Sequence, residues 1–389
     1  MKRRKAQDEL VPEHAPEVVH EAPEEDHEAP EVIHEALEVE ELTIEVSTEM
    51  NDEKCEDPAL DKSCQTETES PSAAGAPLHV VLSESPSAAG APSNVVLSLD
   101  RLKNNREMMQ YYTGLDDFDQ FIYAFQSLGP ASTDLKYKSS LGPKNEFLLT
   151  LIKLRQDKDD IELGFLFGVS QPTAGRIFKN WLNFMYYQFK EIELFQDKDT
   201  VQEYMPEGFK NQFPKTRIIL DGTEVPIEKP SNVADQRSTW SQYKHTNTLK
   251  VVAGISPRGV TTFVSHAYGG SASDREIIEK ELLDGRFESG DSIMADRGML
   301  VQDLFATQNV QVNTPTTMKG VNQLPAETVV KDRRIASKRV HVERVIGLAK
   351  TYKILANELD HSKVPLGGRI IFVCFMLSNF RKNIMARYS

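Results

Sequence analysis

Two short apolar runs, Arg217-Ile218-Ile219-Leu220 and Ser292-Ile293-Met294-Ala295, each end in an aspartate, Asp221 and Asp296. No other feature constrains the fold as strongly. Short aliphatic runs closed by turn residues, Asp221-Gly222 in one case and Asp296-Arg297-Gly298 in the other, predict buried strands. Carboxylates at strand ends sit on rigid backbone where side chains leave the sheet. A third acid, Glu343, lies in the basic stretch Arg339-Val340-His341-Val342-Glu343-Arg344-Val345-Ile346-Gly347, whose spacing predicts a helix able to bring it beside them.

The flanking segments predict a mixed α/β layer fold. Residues 249–256 and 260–266 are β-rich and joined by Ser256-Pro257-Arg258-Gly259, which reads as a hairpin. Gly269-Gly270-Ser271 leads into a helix through Ile277, Ile278 and Leu282, capped by Ser271 or Ser273. A helix near 300–307, a short strand at 310–312, a polar linker at 315–324, a basic helix over about 328–355 and an apolar helix over 369–384 follow.

Upstream of 205 the texture is helical. Leu115, Phe118, Phe121, Ile122, Phe125 and Leu128 have helical spacing, stopped by Gly129-Pro130, and Gly142-Pro143 introduces a second amphipathic helix over 147–154. A helix-turn-helix pattern comes next. Asp159 or Asp160 caps a short helix through Leu163, Phe165 and Leu166; Gly168-Val169-Ser170 forms the turn, with Val169 plugging the corner; Ser170 and Pro172 open a second helix over 173–182. Gln171, Thr173, Arg176 and Lys179 lie near its start, where a recognition helix meets DNA. An ordinary helical hairpin gives the same pattern.

Charge divides the chain. Residues 1–100 hold 25 of the 59 Asp/Glu and only 6 of the 45 Lys/Arg, so the net charge of −14 belongs to this tail and the remainder is mildly basic. The tail repeats His20-Glu21-Ala22-Pro23 at His27 and, in degenerate form, at His34, and it copies residues 70–77 at 85–92. Recurrent proline and high charge leave too little apolar surface to offset chain entropy, which predicts disorder and a solvated repeat rather than a histidine metal site. The expected organisation is a disordered tail over 1–100, a helical domain over 101–205 and an α/β domain over 206–389. Cys55, Cys64 and Cys374 are odd in number and widely spaced, which suits a reducing compartment. No apolar run is long enough for a membrane-spanning helix. Met1-Lys2-Arg3-Arg4-Lys5 is basic without an apolar stretch behind it; it is a weak candidate for a nuclear import signal and not a secretory one.

Each acid has a plain alternative: a turn aspartate at 221, an Asp-Arg pair closing a loop at 296, and pairing of Glu343 with Arg339 or Arg344 on a solvated helix face. Jointly, three converging carboxylates suit hard divalent cations, Mg²⁺ or Mn²⁺, and a pair of such ions serves phosphodiester chemistry. Asp274 and Glu224 are accessory candidates, although an acid in the first turn of a helix explains Asp274 equally well. Arg237, Trp240, Tyr243, Lys244 and His245 form a basic-aromatic segment, and Arg339 and Arg344 stand among bases able to neutralise phosphates.

At these residues the sequence resembles the DDE superfamily endonucleases, the transposases of Harbinger-like and related cut-and-paste DNA transposons. The likeness rests on Asp221-Gly222-Thr223-Glu224, Gly269-Gly270 with Ser273-Asp274, Ala295-Asp296-Arg297-Gly298 and His341-Val342-Glu343-Arg344-Val345-Ile346-Gly347, and it covers roughly residues 140–380. It implies a ribonuclease H-like catalytic domain after a helix-turn-helix domain, with Asp221, Asp296 and Glu343 as the metal-binding triad. It also implies two divalent cations, DNA such as transposon ends as substrate, a homo-oligomer or a partner DNA-binding protein, and a nuclear location. Relatives often carry an N-terminal zinc-binding finger, and the first hundred residues show no such pattern, which leaves a truncated or host-adopted descendant as the expectation. The rival expectations are a catalytically silent DNA-binding protein and an interaction protein working through its acidic tail.

Overall fold

The computed structural model describes residues 97–135, 139–316 and 324–381, and every structural statement concerns these. Nearly all of the acidic tail with its repeats, most of the 315–324 linker and the end of the expected last helix lie outside them.

The chain builds eight helices of eight or more residues among the described residues. They are α1 Arg106–Thr113, α2 Phe118–Ser127, α3 Pro143–Gln156, α4 Asp160–Phe167, α5 Gln171–Lys190, α6 Asp274–Glu281, α7 Ala326–Ala349 and α8 Gly367–Asn379. Local chemistry sets several ends. Asp117 accepts from the Gln120 amide at the start of α2, and Ser273 accepts from the Glu276 amide at the start of α6. Gly168 ends α4 at φ 69°, the left-handed conformation that glycine adopts without steric cost. Pro172 sits in the first turn of α5, where its missing N–H costs nothing.

Seven strands form one mixed sheet: β1 Thr216–Pro226, β2 Trp240–Ser241, β3 Thr246–Ile255, β4 Thr261–Val264, β5 Tyr268–Gly269, β6 Ser292–Met294 and β7 Gln311–Asn313. The order is β2-β3-β1-β6-β7, with β4 and β5 also pairing with β3. β3 runs antiparallel to β1, with Asp221 opposite Ala253, while β6 runs parallel to β1, with Ile219 opposite Met294. β7 continues in parallel beside β6. The expected hairpin at 256–259 is present, its turn closed by the Gly259 amide on the Ser256 carbonyl.

Side chains alternate across a strand, so each face of the sheet meets a different helical layer. Ile219, Val225, Val251, Ala253 and Ile255 join one buried cluster with α7, α8 and the upstream helices. Ile218, Leu220 and Val252 join a second cluster with Ile277 and Ile278 of α6 and with Phe305. The first cluster takes in residues on both sides of position 205, Phe189, Val201 and Met205 together with Phe209, Ile219 and Val225. Within it Phe121, Phe125, Phe147 and Trp181 stack with ring centroids 5.1–6.0 Å apart. Polar contacts fasten the end of α3 to the chain after α7. Asp157 accepts from Asn357 Nδ2 at 2.9 Å and Lys363 Nζ at 3.2 Å, and Arg155 donates to the Thr351 carbonyl. The helix-turn-helix is thus held in fixed relation to the sheet.

Candidate active site

Asp221 lies inside β1 rather than at its end: the strand continues through Gly222 to Pro226. The expectation of a strand-end position fails because Gly222, Thr223 and Glu224 keep pairing with β3. Asp296 stands two residues past β6, after the tightly buried Ala295. Glu343 projects from α7, whose buried side carries Ile335, Val342, Val345 and Ile346.

One guanidinium ties these acids together. Arg339 Nη2 lies 2.8 Å from Glu343 Oε1 and 3.3 Å from Asp296 Oδ1, and Arg339 Nη1 lies 3.7 Å from Asp221 Oδ1. The Arg339–Glu343 pair is the i,i+4 contact that the sequence permitted, but its guanidinium also reaches both aspartates. Arg339, expected to face DNA phosphates, is therefore engaged by the candidate triad. Burial pushes the Asp221 carboxyl up to about 6; Arg339 opposes the rise, and Asp296 and Glu343 add to it.

Among the described residues no three His, Cys, Asp or Glu side chains are close enough together to hold a metal ion. The three acids stand around the Arg339 cation rather than against one another. The donor set nonetheless fits a hard divalent cation, since all three side chains are carboxylates and a positive group already lies among them.

The accessory acids occupy the other face of the sheet. Gly222 follows Asp221, so its side-chain direction points away from the triad, and a Cβ there would meet Asp274 Oδ1. Lys250 Nζ sits 3.6 Å from Asp274 Oδ1 and 3.7 Å from Glu224 Oε1 while donating to the Ala272 carbonyl. Glu224 also accepts from Thr248 Oγ1 at 3.0 Å. Both acids are thus partnered by one lysine on the α6 side. Burial raises the Asp274 carboxyl above its ordinary value, with Lys250 opposing.

His341 lies two residues from Glu343 and leaves the helix on a different side, against the Phe209 ring. Burial, helped by Arg344 and Lys338, holds its pKa down at about 4. Lys350 Nζ donates to the Glu224 carbonyl, which anchors the end of α7 to β1.

The candidate DNA-binding residues fall in two regions. Gln171, Arg176 and Lys179 are exposed on α5, with Thr173 half-buried, and Ser170 Oγ bonds Thr173 Oγ1 at 2.9 Å. Ser170 caps α5 through its backbone position without a side-chain cap bond. Arg237 lies on the helix Val233–Thr239, and Trp240 and Lys244 stand on the β2–β3 hairpin, where Tyr243 is 81 % exposed beneath Lys244 Nζ, 4.8 Å from its ring centre. Neither that helix nor β2 was foreseen: a two-residue strand has no period to read. Gly269 and Gly270 explain themselves through close packing here, because a Cβ on either would fall 2.1 Å from Ser238 O or Thr248 Oγ1. Arg344, the last basic candidate, follows Glu343 on α7.

Among the described residues no helix is long and apolar enough to cross a membrane. No curated protein and no solved structure matches the chain. Residues 220–379 match the family model for the DDE superfamily endonuclease, a span containing all three candidate acids. Residues 139–191, covering α3 to α5, match the helix-turn-helix of DDE superfamily endonucleases. The two matches give this chain a helix-turn-helix of the DDE superfamily endonucleases followed by a DDE superfamily endonuclease domain.

Proposed function

We propose that the protein is a divalent-metal-dependent DNA endonuclease that cleaves or transfers DNA strands, with Asp221, Asp296 and Glu343 as the residues that hold Mg²⁺ or Mn²⁺. One observation carries the reading. Side chains separated by 75 and 47 positions in the chain converge on a single guanidinium. The family match over 220–379 supports it, and a mixed sheet with helices on both faces supports a ribonuclease H-like arrangement.

A pair of bound divalent cations supplies positive charge at the scissile phosphodiester and lowers the pKa of an attacking water or DNA 3′ hydroxyl. The protein's own residues do the rest. Asp221 is fixed by the backbone pairing of a central strand, Asp296 by the parallel strand beside it, and Glu343 by a helix packed on the same face. The exposed bases of α5, with Arg237, Lys244 and Arg344, neutralise phosphates and hold the duplex in register. Transposon ends are the candidate DNA, a second copy or a DNA-binding protein the candidate assembly partner, and the nucleus the candidate location.

The test is direct. Full-length protein is incubated with supercoiled plasmid and Mg²⁺ or Mn²⁺, with EDTA as control. Metal-dependent nicking that disappears in Asp296→Ala supports the reading. The helix-turn-helix match favours a second reading, a silent DNA-binding protein; tight DNA binding with no nicking under either metal selects it.

A further inference from the structure

The carboxylate site already contains a cation of its own, and nothing in the proposed chemistry assigns it a role. Arg339 reaches all three acids from one turn upstream of Glu343 on α7, within 2.8–3.7 Å. Its side chain is 17 % exposed and that of Asp221 21 %, whereas Asp296 and Glu343 are each 47 % exposed. The Asp221 side of the contact is therefore the one most shielded from water, and charge interactions strengthen there. Three carboxylates share this one guanidinium, so the acids outnumber the cation in contact with them. A divalent ion brings twice the charge of the guanidinium and takes carboxylate oxygens directly. The two cations want the same oxygens.

We propose that Arg339 is a built-in counter-cation that holds the site together without metal and must be displaced for a divalent ion to enter. The inference rests on the metal-site reading above. On this account the arginine sets a threshold for metal loading: it stabilises the empty site, lowers its metal affinity, and frees a guanidinium at the centre once the ion has entered. It is a positioning residue, acting through the three carboxylates.

The test is a Mn²⁺ titration by calorimetry on metal-free full-length protein, comparing wild type with Arg339→Gln and Arg339→Lys. Arg339→Gln removes the competing charge and is expected to bind Mn²⁺ at least tenfold more tightly. Arg339→Lys keeps a positive charge and should stay within about threefold of wild type. Thermal melting gives a second readout that does not depend on turnover. Without metal, Arg339→Gln should melt below wild type; on adding Mn²⁺ its melting temperature should rise by more than the wild-type value, because a ligand that binds only the folded state stabilises it in proportion to its affinity. Equal or weaker Mn²⁺ binding by folded Arg339→Gln overturns the proposal and leaves the metal site standing. Absence of Mn²⁺ binding in wild type and both variants overturns the metal site itself, and this inference with it. Should Arg339→Gln fail to fold without metal, Arg339→Met takes its place under the same criteria, and failure of both to fold even in Mn²⁺ counts against a displaceable role.

Discussion

The carboxylate of Asp274 fills the space that a side chain at Gly222 would need: a Cβ built on Gly222 would fall 2.9 Å from Asp274 Oδ1 and 3.1 Å from its Cγ. The glycine after Asp221 is therefore a packing requirement on the α6 face of the sheet. Asp274 is also held by Lys250, so it cannot move aside freely. Gly222→Ala should destabilise the protein by about 1–3 kcal/mol, the usual cost of forcing extra volume into a packed site. Removing the obstructing carboxylate as well, in Gly222→Ala with Asp274→Ala, should restore part of that loss. Chemical denaturation of the two single variants and the double variant measures the coupling. Strict additivity would show that the clash is relieved elsewhere.

Asp221 makes a prediction about pH. Its carboxyl is pushed up to about 6 by burial, against an ordinary value of 3.8. The folded state then binds this proton more tightly than the unfolded state does, so protonation favours folding. The contribution is fully present below about pH 4 and is lost as pH rises through 6. A carboxyl displaced that far carries up to about 3 kcal/mol of penalty when ionised, and less where solvent reaches it. Asp221→Asn in metal-free buffer should consequently be more stable than wild type at pH 7.5, by about 1–2 kcal/mol. The difference should vanish near pH 4. Melting curves in EDTA across that range check the sign, and a variant less stable at pH 7.5 would refute the account.

The helical part predicts a contrast between two large aromatic residues. Trp181 is fully buried, and its Nε1 donates to Glu146 Oε2 at 2.8 Å inside the cluster of rings. Trp181→Phe leaves that buried carboxylate without its donor and opens a gap, at a cost of about 2–4 kcal/mol. Phe165 follows Leu163 in what reads as an apolar stretch, yet it is 87 % exposed on α4. Phe165→Ser should change stability by no more than about 0.5 kcal/mol. Urea midpoints compare the two, and similar losses would mean that the α4 surface is covered in solution.

Residue periods and turn residues made the elements legible. The hairpin at 256–259, the cap at Ser273 (one of the two serines offered) and the break at Gly168 follow from local chemistry, and local chemistry is what a sequence displays. Partners remote in the chain were not legible. The sequence showed Arg339 and Glu343 as an i,i+4 pair, and only the packing of α7 against β1 and β3 brings Asp221, and Asp296 from beyond β6, to the same guanidinium. Glu224 is the converse case. It lies three residues from Asp221, and in a strand an odd separation means the opposite face. Had β1 been extended past Asp221, that parity would have removed Glu224 from the triad's side, but Asp221-Gly222 reads as a turn. The joint between the helices and the sheet escaped for a similar reason, since an apolar face announces burial without naming what covers it.

Arg176 and Lys179 carry the last prediction. Both are exposed near the start of α5, directly after the turn, and Arg176 Nη2 lies 3.4 Å from Thr173 Oγ1. Each cation that neutralises a phosphate releases condensed counterions, which adds about 0.9 to the slope of log affinity against log salt. If α5 lies on DNA through both residues, the double variant Arg176→Ala, Lys179→Ala should bind a duplex more weakly and show a slope shallower by about 2. Fluorescence anisotropy over a range of NaCl concentrations measures this with any duplex, because phosphate contacts are independent of sequence. An unchanged slope with intact folding would take the helix-turn-helix off the phosphate backbone. The same experiment on Arg237→Ala with Lys244→Ala would then show whether the β2–β3 hairpin carries the contact instead.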